Sequence, residues 1–261
     1  MISERSRQET SLSFSHPISV QMIGLCEYTP NYGPIFILSK YIAGITLETH
    51  VKEQLNYLSP SDKLEKITTE MCYVLDALQY LHSRGVVHRD VKPSNIMIEN
   101  GSVVKLMDLG IARLNGGNKY SSYGFIGTPQ YAAPEQILRD SENTEINAQT
   151  DVYAAGITLY ELITGNNPFK TDIEAEVLSR QMSLKLPYDK KIPRSLYNVI
   201  LKATEKTPEK RYKSASEFKF AIIDAIQRSK ERSLLDWIIS HKILTFVMVA
   251  LLILLVISFI I

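Results

Sequence analysis

Asn100-Gly101 divides two short apolar-rich runs, Ile96 to Glu99 and Val103 to Met107, and forces the chain to double back between them. Both central positions of so tight a turn need a positive φ, which Asn and Gly adopt at least cost, so the pair predicts a β-hairpin. Closing that hairpin carries Asn95 and Asp108 to the same open end. An amide oxygen beside a carboxylate is a pair of hard ligands suited to Mg²⁺. Asp90 and Lys92 lie one loop upstream, near enough to meet the same ligand. The spacing therefore predicts a site for a metal-bound polyphosphate.

These residues stand in a longer stretch, HRDVKPSNIMIENGSVVKLMDLG, that resembles the catalytic core of the protein kinase superfamily. His88-Arg89-Asp90 to Asn95 is similar to the family's catalytic loop. Asp108-Leu109-Gly110 is similar to its metal motif, with Leu in place of Phe. Further matches follow in the expected order. Gly127 to Glu135 (GTPQYAAPE) looks like the substrate-docking end of an activation segment, Asp151 to Gly156 like the start of the buried central helix, and Arg211 like the arginine that pairs with the Ala-Pro-Glu glutamate.

The resemblance implies an α+β, protein kinase-like fold and an ATP-dependent serine/threonine protein kinase. Lys92 at its position marks serine/threonine rather than tyrosine specificity in that family. By the same likeness Asp90 is the catalytic base and Lys92 the cation that reaches the γ-phosphate. Asn95 and Asp108 would hold the Mg²⁺ ions that bridge the phosphates of ATP. Met97 would pack beneath adenine. Lys40 to Gly44, Lys40 and Ile42 among them, would form the hinge along its edge, with Ser39 as gatekeeper. Thr128 would support Asp90 and Lys92, Asp151 would hold the catalytic loop's backbone, and His88 would pack and hydrogen-bond. Glu135 and Arg211 would form a buried ion pair, and phosphorylation at Ser121, Ser122 or Tyr123 could order its loop against Arg89.

The family pattern divides the chain into a remnant of the small lobe (1–42), a complete, mostly helical large lobe (43–228), a juxtamembrane segment (229–242) and a transmembrane helix (243–261). Neither a glycine-rich phosphate loop nor the strand lysine that pairs with the α- and β-phosphates is found, and Arg7 holds the place of that lysine's glutamate partner. The small lobe is thus expected to be incomplete. Three readings follow: an active membrane-anchored kinase whose missing strands come from another start site, a partner chain or a second copy in a dimer; a non-catalytic module that keeps the docking face; or a truncated remnant. The layout of a kinase followed by one span is similar to bacterial receptor-type serine/threonine kinases.

Residues 243–261 (ILTFVMVALLILLVISFII) carry no charge. As a helix they would cover roughly 28 Å, close to the thickness of a bilayer's hydrocarbon core. Arg228, Lys230 and Arg232 just upstream predict that the preceding domain is cytoplasmic, with Trp237 and Lys242 at the membrane edge. A net charge of +1 gives no electrostatic case for nucleic acid as a partner. The two cysteines, Cys26 and Cys72, lie too far apart for a metal-ligand pair and suit a reduced compartment.

Periodicity places the remaining elements. Ile18 to Tyr28 and Ile35 to Tyr41 read as strands about a turn at 30–34, and Ala43-Gly44 as a flexible connection. Ser59 caps a helix from Pro60 whose apolar face is Leu64, Ile67, Met71, Val74, Leu75, Leu78 and Leu81, stopped by Gly85. A second helix, apolar nearly all round, is predicted from Asp151 to Thr164 and stopped by Gly165. From Ile173 to Ile226 the pattern is helical again, broken at Pro187, Pro193 and Pro208.

Overall fold

The computed structural model describes residues 22–27, 35–108, 120–121, 124–125, 128–138 and 145–260; for 22–27, 35–39, 120–121, 124–125, 243–245 and 247–260 it describes the backbone alone. The expectations placed on Arg7, the turn at 30–34, Leu109, Gly110, Ser122, Tyr123 and Gly127 lie outside the described residues, as do the side chains of Ser39 and Ser121.

Strands β1 (Met22–Glu27) and β2 (Ile35–Ser39) pair antiparallel, with an irregularity between Met22 and Gly24. After the connection at 40–43 the chain forms β3 (Gly44–Thr46) and a short helix α1 (Leu47–Glu53). Neither was expected from the sequence. Gly44 is no flexible connector: a Cβ built on it would stand 2.1 Å from the Ile98 carbonyl oxygen, so only glycine lets the two backbones approach this closely. The Thr46 hydroxyl then caps α1 by accepting from the Thr49 amide.

Helix α2 (Pro60–His82) starts where its signals place it, with the Ser59 hydroxyl accepting from the Asp62 amide and Pro60 in the first turn. Its predicted stripe is buried, with Leu64 at the margin. The hairpin follows as β4 (Ile96–Glu99) and β5 (Val103–Leu106). Asn100 and Gly101 have φ of 51° and 75°, as the turn requires. Glu99 pairs with Val103, so the loop holds three residues and Met107 falls just past β5. On its other edge β4 pairs with β3, giving the sheet order β3-β4-β5. The two-residue strands β6 (Tyr120–Ser121) and β7 (Gly124–Phe125) form a separate pair.

After a single turn of helix, α3 (Pro134–Ile137), comes the central helix α4 (Ala148–Thr164). It begins three residues before the predicted start because the Asn147 side chain caps it, accepting from the Gln149 amide. That cap places Asp151 in the first turn. The helix is buried on nearly every side, and Gly165 ends it at φ 77°. Helices α5 (Glu174–Ser183) and α6 (Arg194–Ala203) follow, separated by the Pro187–Pro193 stretch. Helices α2, α6 and α7 (Ala215–Ile260) pack around α4, and their joint apolar core extends beneath the hairpin through Ile96, Ile98, Val104 and Leu106.

The last helix departs most from expectation. Helix α7 runs without a break from Ala215 to Ile260. No change in backbone marks the boundaries placed at 228 and 242. Ala215, Phe218, Ile222 and Ala225 bury one face in the core, and no residue from 226 to 242 is buried. Among the described residues no helix is long and apolar enough to cross a membrane. The side chains of the uncharged run fall almost wholly outside that set.

Candidate active site

Asp151, at the positive end of α4, organises the loop ahead of the hairpin. Its fully buried carboxylate accepts from the backbone amides of His88 (2.8 Å) and Arg89 (2.7 Å) and from Nε2 of His82 (2.7 Å). Those bonds hold Arg89 at φ 68°, in the left-handed region that a bulky, non-glycine residue seldom occupies. His88 is buried as well. Its Nδ1 accepts from the Asp90 amide (3.3 Å), so the proton sits on Nε2, which donates to the Met107 carbonyl (2.8 Å). Burial keeps the His88 pKa below the ordinary imidazole value against the pull of Asp151, so the ring is a neutral strut between the loop and the end of β5.

The loop so fixed presents Asp90, Lys92 and Asn95 together. Asn95 Nδ2 donates to both the backbone carbonyl and Oδ2 of Asp90, each at 2.9 Å. Two acceptors demand the amino end of the amide, which directs Asn95 Oδ1 away from Asp90. Lys92 Nζ lies 3.0 Å from Asp90 Oδ2 and donates to the Thr128 hydroxyl at 2.6 Å. The bond from the Met107 amide to the Asn95 carbonyl (2.8 Å) extends the hairpin register by one pair, bringing Asp108 to the open end beside this cluster. Asp108 is exposed and holds φ 50°.

No group of three or more His, Cys, Asp or Glu side chains poised for a metal occurs among the described residues. The oxygen donors here are Asn95 Oδ1 and the Asp108 carboxylate. Such a set suits a hard cation that completes its shell with water and ligand phosphates, as Mg²⁺ commonly does. The residues present therefore fit the ion that the sequence implies.

The expected adenine residues are less tightly gathered. Met97 lies on β4, directly across from Thr46, on the opposite face from the buried Ile96 and Ile98. Lys40 and Tyr41 are exposed on the strand connection, whereas the Ile42 side chain is buried. Ala43 reaches the hairpin turn by accepting from the Asn100 amide (3.2 Å). Met97 on the central strand and the connection leading into β3 thus belong to one sheet, but among the described residues no hydrogen bond links Lys40 or Ile42 to the Asp90 cluster.

Beyond Thr128 the segment at 129–138 is tied down from several directions. The Tyr131 hydroxyl donates to Glu161 (2.5 Å), and Gln136 Nε2 donates to the Arg89 carbonyl (3.1 Å). Glu135 and Arg211 form the expected buried pair, bidentate at 2.6 and 2.8 Å. Thr150 adds a hydroxyl donor to Glu135 at 2.8 Å. Sequence reasoning missed His82, Gln136, Tyr153, Gln181 and Lys206, all of which join this framework. Gln136, next to the Ala-Pro-Glu motif, and Tyr153, inside the Asp151 to Gly156 stretch, carried a signal; the other three did not.

Residues 3–220 match the sequence profile of the protein kinase domain. Among curated proteins, serine/threonine-protein kinase PknB of Mycobacterium tuberculosis is 34% identical over 232 residues, covering 84% of this chain and 35% of its own length. The probable serine/threonine-protein kinase SCO3848 of Streptomyces coelicolor is 34% identical over 227 residues, again 84% of this chain and 32% of the relative. The probable serine/threonine-protein kinase CA_C1728 of Clostridium acetobutylicum is 32% identical over 208 residues, 77% of this chain and 29% of the relative. The chain spans about a third of the length of these relatives. With its catalytic-loop geometry, its match across most of the sequence and these relatives taken together, the chain belongs to the protein kinase family, among the bacterial serine/threonine kinases.

Proposed function

We propose that this chain transfers the γ-phosphate of ATP to serine and threonine hydroxyls of proteins. The supporting observation is Lys92, which spans the Asp90 carboxylate and the Thr128 hydroxyl and so binds the loop carrying the base to the segment that would dock the substrate. Asp90 accepts the proton of the attacking hydroxyl and aims its oxygen. Lys92 contributes a fixed positive charge where the γ-phosphate develops negative charge, an effect that grows in a site half removed from water. Asn95 and Asp108 hold Mg²⁺, which supplies neutralisation of the phosphate charge when bound. Met97 and the backbone of Lys40 to Ile42 meet adenine, and the turn Pro129–Tyr131 receives the protein substrate.

The domain assignment is part of this reading. Residues 43–228 form the large lobe; β1 and β2 are what is described of the small one. Residues 243–261 are the membrane span and 229–242 the segment that approaches it, which places the kinase on the cytoplasmic face. The reading is supported by the absence of charge from that run and by the cations Arg228, Lys230 and Arg232 ahead of it.

The test is label transfer from γ-³²P-ATP to a Ser/Thr-containing protein by the full chain. Transfer is expected for the parent and lost, by on the order of a thousandfold or more, in Asp90→Asn, which keeps the shape but cannot take the proton. Transfer that survives in Asp90→Asn removes the base from the scheme. A parent that binds peptide but transfers nothing reduces the chain to a docking module.

A further inference from the structure

The turn Pro129–Tyr131 is pinned at both ends, by Thr128 on Lys92 and by Tyr131 on Glu161. Its middle is held differently. Gln181 of α5 is completely buried, and its Nε2 donates to the carbonyls of Pro129 (3.2 Å) and Gln130 (2.5 Å). Its Oε1 accepts from the Tyr153 hydroxyl of α4 (2.6 Å), whose oxygen accepts in turn from Lys206 Nζ (2.8 Å). Every bond in the series points the same way. Inverting the amide would set Oε1 against two carbonyls, so the sense of the chain is fixed. Lys206 is itself confined, 5.2 Å from the Tyr153 ring centre and 4.8 Å from that of Phe169.

We infer that Gln181, backed by Tyr153 and Lys206, is a positioning residue that sets the docking turn and thereby the affinity for the protein substrate. The inference rests on the kinase reading above. The hydrogen bonds of Gln181 run to Tyr153, Pro129 and Gln130 and to no residue of the Asp90 cluster or the hairpin, and the turn's two end tethers remain when it is lost. Removing it frees the carbonyls of Pro129 and Gln130 while Thr128 stays on Lys92. Substrate binding should therefore suffer, and the chemical step and nucleotide binding should not.

The experiment is steady-state kinetics of the full chain with a serine peptide and ATP varied separately. Gln181→Met keeps the volume and deletes both polar ends. Tyr153→Phe keeps the ring and breaks the series one link behind the turn. Peptide KM is expected to rise about tenfold in Gln181→Met and about threefold in Tyr153→Phe, with kcat and ATP KM within about twofold of the parent. An unchanged peptide KM in both, or ATP KM and kcat worsening in step with it, overturns the assignment. Amide exchange at residues 130–132 reads the same series without turnover. Faster exchange in both variants upholds it, and parent-like exchange rejects it. A parent chain with no transferase activity would sink the kinase reading on its own, separately from the exchange result.

Discussion

Arg211 shows how completely one side chain can be used. A guanidinium has five N–H donors. Here Nε donates to the Glu205 carbonyl, one terminal nitrogen to Glu135 and the Gln149 carbonyl, and the other to Glu135 and the Lys206 carbonyl. Both partners are almost fully buried, at 2% and 3% exposure, so deleting one strands a charge away from water. Glu135→Ala is expected to cost about 3–5 kcal/mol, read from urea unfolding. A loss under about 1 kcal/mol would mean that water reaches the guanidinium. Lys206 makes a second prediction. Burial, with Arg211 nearby, lowers its pKa from near 10.5 to about 8. Between those values the unfolded chain binds more protons than the folded one, so this residue's contribution to stability rises as pH increases from about 8 towards 10.5. The buried tyrosines Tyr131 and Tyr153 have raised pKa values and act oppositely at the alkaline end. The effect is therefore read as a difference: the parent should gain on Lys206→Met between pH 7.5 and 9.5, and a constant gap would refute it. That Asp90, Lys92 and Asn95 meet was legible because they lie within one short loop. That Gln181, Tyr153 and Lys206 meet was not, since they come from separate segments and are joined only after α4 and α5 pack.

Among the elements, the hairpin and α2 could be read directly because each end carries its own local chemistry: Asn100-Gly101 for the turn, and Ser59-Pro60 for the helix start. Strand β3 could not. Three residues are too short to show alternation, and a glycine at its head suggests a break. What makes Gly44 a strand residue is the proximity of Ile98, a contact distant in sequence. Gly44→Ala should push β3 off β4 and cost about 2–3 kcal/mol. Because Thr46 pairs with Met97, nucleotide affinity should fall with it. A variant with the parent's melting temperature and ATP affinity would show that the two strands can separate freely. The early start of α4 was hidden for a similar reason: Asn147 is one of many asparagines until its side chain is seen to accept from Gln149.

At the scale of the whole molecule, composition revealed the uncharged run, whereas its connection to the domain was invisible. The sequence reads as a large lobe to residue 228 and then two segments, 229–242 and 243–261, and nothing in a hydropathy pattern says whether helix continues between them. Helix α7 continues. The proposed span predicts that the full chain sediments with phospholipid vesicles and resists alkaline extraction, while the same chain ended at Lys242 stays in the supernatant. Equal partitioning of the two would remove the span from the scheme.

That unbroken helix has a mechanical corollary. From Gln227 to Lys242 it runs roughly 24 Å, a rod with no joint along it. With residues 243–261 in the membrane, as proposed, a slack string here would let the catalytic face sample any altitude above the lipid and any heading. A rod would fix both, so only hydroxyls presented at one elevation would be served. Twisting the buried end about its own axis would swing that face through the same angle, as a key turns a bolt.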